Sequence, residues 1–130
     1  MNQSIASAFV VSIAALCPPV LVQAAPITCD GVAVVLITPD IVRGATFDVE
    51  VTVRSDLLGK VSGVVQFAGF QGQSSNLTSV NQTFSAEKTK VTVNTKPTAF
   101  ANNYKGTLLG VVNGVQCEKR VEGVLDLRAS

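Results

Sequence analysis

Ala45-Thr46-Phe47-Asp48-Val49-Glu50-Val51-Thr52-Val53-Arg54 alternates without a break. Phe47, Val49, Val51 and Val53 fall on one side of an extended chain, and Asp48, Glu50, Thr52 and Arg54 on the other. Successive side chains of a strand point to opposite faces, so the stretch predicts a strand with one face in a core and one in water. Similar segments lie on both sides of it. Upstream, Val32 to Ile37 is an apolar strand ended by Thr38-Pro39-Asp40, and Arg43-Gly44 is a turn. Downstream, Val61 to Phe70 places Val61, Gly63, Val65 and Phe67 on one face. Lys88 to Thr95 sets Val91 and Val93 against Lys90, Thr92 and Asn94, and Pro97 stops it. Tyr104 to Val112 and Val115 to Leu127 flank Asn113-Gly114, a pair that favours a two-residue hairpin because both central residues of a type I′ turn need positive φ. On the last strand Val121, Leu125 and Leu127 oppose Arg120, Glu122, Asp126 and Arg128. The expected fold is all-β, an immunoglobulin-like antiparallel β-sandwich of six to seven strands, with no internal repeat and no second domain.

The chain has 130 residues, 47% of them apolar and 15% charged, with a formal net charge of +1. That composition excludes intrinsic disorder and lacks the clustered basic face of a nucleic-acid binder. Histidine is absent, which removes His-based triads, His-ligated metals and imidazole proton shuttles.

No charged side chain precedes Asp30. Within that stretch an apolar run from Ile5 to Leu16 is followed by Cys17-Pro18-Pro19 and then Val20-Leu21-Val22-Gln23-Ala24-Ala25. Small residues near Ala24 match a secretory signal peptide over residues 1–24, leaving a domain over 25–130. The n-region, Met1 to Ser4, has no basic side chain. The rival, a membrane anchor, is interrupted by Pro18-Pro19 where a span needs about 20 apolar residues. A secreted, extracellular or endolysosomal location is expected. Losing the leader also loses Cys17, and the even pair Cys29 and Cys117 then reads as a disulfide from the first strand to the last; two buried free thiols are the alternative. Asn76-Leu77-Thr78 and Asn81-Gln82-Thr83 are sequons in a polar stretch, which makes Asn76 and Asn81 candidate glycan acceptors.

Catalytic signatures are sparse. Asp48 and Glu50 share the wet face of one strand, and Glu122 and Asp126 that of another, but solvated alternation accounts for both pairs. Ser85-Ala86-Glu87-Lys88 fits a Ser-x-x-Lys pattern without its companion elements. The expectation is a non-enzyme with neither metal nor cofactor.

Three segments resemble the ML (MD-2-related lipid-recognition) family. They are Cys29-Asp30 before an apolar strand, Ile37-Thr38-Pro39 leading through Arg43-Gly44 into the alternating strand to Val53, and Tyr104 to Glu118 closing on a hairpin and a cysteine. Two further disulfides common in that family have no counterpart here. The resemblance implies a secreted carrier that holds a lipid or sterol between two sheets, with transient membrane contact and no nucleic-acid partner. Under it, Val49, Val51, Val65, Phe67, Val91, Val93, Leu108, Val121 and Leu125 would wall the cavity, and Phe70, Phe100 and Tyr104 would form its rim. Strand glycines such as Gly63, Gly106, Gly110 and Gly123 hint at room inside, because glycine often marks a bulge or a close approach. The competing expectation is an extracellular immunoglobulin-like adhesion or interaction module with a solid core.

Overall fold

Strand alternation carries over into a computed structural model that describes residues 26–69 and 77–130. The leader, Cys17, Phe70 and Asn76 lie outside the described residues. The strands are β1 (Val32–Leu36), β2 (Asp40–Val42), β3 (Thr46–Val53), β4 (Val61–Gly69), β5 (Leu77–Thr78), β6 (Gln82–Phe84), β7 (Lys88–Asn94), β8 (Asn102–Val112) and β9 (Val115–Arg128). A 3-10 turn, Ser55–Leu57, precedes β4.

They form one curled sheet in the order β5-β4-β8-β9-β1-β3-β7, with β6 on β4 and β2 on β9. One layer contains β1, β3 and β7; the other is built on β4, β8 and β9. Asn113 and Gly114 both have positive φ, 51° and 81°, as the tight turn between β8 and β9 requires. Gly123 lies in the left-handed region at φ 108°. It belongs to a bulge in which Val121, Glu122 and Gly123 oppose Gly106 alone, and there β9 reaches β1 through Val35 and Glu122.

Two expectations need correction. The described strands number nine, not six to seven. The three missed ones, β2, β5 and β6, have three residues or fewer, too short for alternation to register. Nor is the pairing wholly antiparallel. The N-terminal stretch runs parallel to β9 at Thr28, at Val35 and over Asp40–Val42, although Pro39-Asp40 reads as a simple stop. What recruits β2 is Ile41, whose side chain is buried while Asp40 stays outside and hydrogen-bonds Arg128.

Cys29 and Cys117 form the disulfide, with Cα atoms 5.0 Å apart. The Cys29 N–H donates to the Glu118 carbonyl, and the Glu118 N–H to the Ile27 carbonyl, so backbone bonds flank the bridge. The inward faces of the two layers make one apolar core.

Candidate functional site

The interior is the first place to look for a ligand. Val49, Val51, Val65, Phe67, Val91, Val93, Leu108, Val121 and Leu125 come together in the core, none more than 4% exposed. They are joined by Phe47, whose ring meets that of Phe67 edge to face at 4.9 Å between centroids and 84° between planes. Phe47 belongs to β3 and Phe67 to β4, so this contact bridges the midline between the layers.

The strand glycines serve that packing. A Cβ on Gly106 would lie 2.5–2.8 Å from the Phe67 ring, so the ring occupies the room the glycine leaves. Gly63 and Gly110 face each other across β4 and β8, where a Cβ on Gly63 would run into the Leu109 carbonyl. Glycine here marks a close approach of the chain to itself.

Placement at the expected rim differs. Tyr104 is fully buried, with its hydroxyl donating to the Phe100 carbonyl at 2.8 Å, and so does not stand at an opening. A polar tip buried with a partner is as stable in a core as one in water, a choice the sequence leaves open. Phe100 is 59% exposed, two residues before β8. The loop that bears it is tightly held. Thr95 donates its hydroxyl to the Ala45 carbonyl and accepts from the Gly44 N–H. Arg43 donates to the Ala99 carbonyl, and Ala99 itself is buried. Replacing Tyr104 by Phe should cost about 1 kcal/mol and speed amide exchange in residues 96–101, as read by hydrogen-exchange mass spectrometry. Unchanged exchange there would assign the anchoring of the loop to Arg43 and Thr95 alone.

No protein-family model matches this chain, and no curated protein matches it.

Among the described residues, one depression of about 660 Å3 crosses the outer face of β4, β8 and β9 close to the hairpin turn, and no side chain named for the cavity wall lines it. Its apolar wall includes Pro26, Ile27, Leu109, Val111 and Val115, and among the described residues Glu118 is the one charged residue lining it. Ile27 is 60% exposed and Val115 51%. Asn81 is exposed and lines the same trough. A second depression of about 320 Å3 lies beside it, lined by Thr107, Lys119 and Arg120 among others. Sequence alternation missed the trough, since Ile27 lies outside every named strand and Val115 directly follows a turn. The only available signal was two apolar residues at positions that alternation does not place in the core.

The ion pairs Arg54–Asp56 and Arg128–Asp40 involve residues of neither the core nor the trough. The hydrogen bond from Arg54 lowers the Asp56 carboxyl below its ordinary pKa, and that from Arg128 to Asp40 raises the guanidinium further. Both pairs are exposed, where water screens the gain. Among the described residues no group of three or more carboxylates or thiols is arranged to hold a metal.

Proposed function

We propose that the chain is an extracellular immunoglobulin-like interaction module, which works through its outer surfaces and holds no ligand between its layers. The observation that carries this reading is the Phe47–Phe67 contact across the midline, at the centre of the region a lipid would have to occupy. A guest there would have to displace a ring that already fills the space beside Gly106. Close-packed interiors resist such opening, because each displaced side chain loses its contacts at once. The disulfide is consistent with an oxidising compartment. The surface offers what the interior does not: an apolar trough at one end and a firmly held, exposed phenyl ring at the other.

Native mass spectrometry of the purified, oxidised protein tests this reading. The expected spectrum contains the mass of the chain or whole-number multiples of it with no lipid adduct, and titration with a fluorescent fatty acid or a fluorescent sterol gives no saturable uptake. A stoichiometric lipid adduct, or saturable binding lost in Phe67→Glu but kept in Phe67→Leu, would overturn it in favour of a carrier.

A further inference from the structure

We propose that copies of this chain associate head to tail, the Phe100 ring of one copy seating in the Ile27–Val115 trough of the next. The inference rests on the interaction-module reading and names the partner, a second copy.

Two surface features call for a partner, and they match. Phe100 leaves more than half of an aromatic residue in water, although the four other described aromatics, Phe47, Phe67, Phe84 and Tyr104, are no more than 1% exposed. Hydrogen bonds tie the backbone beneath it. The carbonyls of Ala99 and Phe100 accept from Arg43 and Tyr104, and the Ala99 N–H donates to the Lys96 carbonyl. An aromatic presented on a fixed backbone loses little conformational entropy when it docks, which is what distinguishes an anchor residue from a loose loop tip.

The trough supplies the complement. Its volume of about 660 Å3 is ample for a phenyl ring, and its wall is apolar at Ile27, Leu109, Val111 and Val115. Charge agrees as well. Arg43, bonded to the Ala99 carbonyl next to Phe100, is in no ion pair among the described residues, whereas the charge lining the trough among those residues is the carboxylate of Glu118. Seating the ring brings this cation toward that carboxylate. Lys119 and Arg120 line the adjoining depression and disfavour an approach of the ring from that side.

Position then dictates the form of the assembly. Phe100 precedes the start of β8 and the trough overlies its far end, separated by about 30 Å at the usual strand rise. Ring and trough on one copy are therefore too far apart to meet, and in a pair each copy keeps one of them free. That makes a heterologous contact, open to addition at both ends.

Sedimentation velocity of the oxidised protein over a micromolar-to-millimolar series is the test, with Phe100→Ser and Ile27→Lys as variants. Both positions are exposed, and a circular dichroism spectrum together with the absence of free thiol checks that each variant is folded. Wild type is expected to show a concentration-dependent ladder of oligomers. Each variant alone should weaken association about tenfold or more. An equimolar mixture of the two should recover a dimer and nothing larger, since it contains one intact ring and one intact trough per pair. Monomeric wild type at millimolar concentration would overturn the proposal, as would wild-type association by either variant or a mixture that stays monomeric. None of these results would touch the solid-core reading, which the lipid-occupancy measurement decides separately. If Ile27→Lys does not fold, Val115→Lys takes its place in the same mixing experiment.

Discussion

Phe67→Ala is expected to destabilise the domain by about 3–5 kcal/mol, the usual cost of removing a buried ring from a core that cannot collapse around the void. Phe67 is fully buried, its ring touches the Phe47 ring from the facing layer, and on its other side Gly106 has no side chain with which to refill the space. Urea unfolding of the variant against wild type measures the effect. A loss below about 1 kcal/mol would mean that the layers are held apart there by something other than this ring. Gly106→Ala supplies the internal control. Its new methyl would push on the Phe67 ring, at an expected cost of about 1–3 kcal/mol from overpacking. In a Phe67→Leu background the same change should cost clearly less, because the smaller side chain gives way. Additive costs in that cycle would break the link between the glycine and the ring.

The second large effect belongs to the disulfide. Replacing Cys29 and Cys117 together by alanine should lower stability by about 4–5 kcal/mol in the chain-entropy model, given the sequence separation of 88 that the bridge closes. The backbone bonds flanking it, Cys29 to Glu118 and Glu118 to Ile27, remain available to the variant. The loss therefore comes mainly through the unfolded chain, which gains the freedom of an open loop. Against a total of about 5–15 kcal/mol for a domain of this kind, the variant should be marginal at about 37 °C. Thermal unfolding followed by circular dichroism, with and without the bridge, reads the difference. A shift of only a few degrees would place the stability of the N-terminal stretch in its packing against β3 and β9.

The six longer strands were legible because each carries its own evidence. Phe47, Val49, Val51 and Val53 alternate with polar neighbours, and a period of two needs no knowledge of the partner strand. The hairpin at Asn113-Gly114 was legible for a similar local reason, the positive φ that both residues adopt. β2, β5 and β6 were not legible, since two or three residues do not make a period. The parallel contacts of β9 were hidden as well, because they join Thr28, Val35 and Asp40 to residues about 90 positions away. Of the candidate site, the wall residues were correctly placed on inward faces, but inward alternation says nothing about what they meet.

By itself, then, the sequence determined an all-β fold of alternating strands and its closing hairpin, and it offered Cys29 and Cys117 as a candidate pair. Each of these follows from neighbours along the chain or from simple parity. Only the tertiary structure decided that Phe47 and Phe67 meet across the midline, that Tyr104 turns its hydroxyl inward to hold Phe100 outward, and that Ile27 and Val115 flank an open trough. Those facts depend on the distance between two layers and on which side chain reaches the space beside a glycine first, quantities set by contacts among residues far apart in sequence.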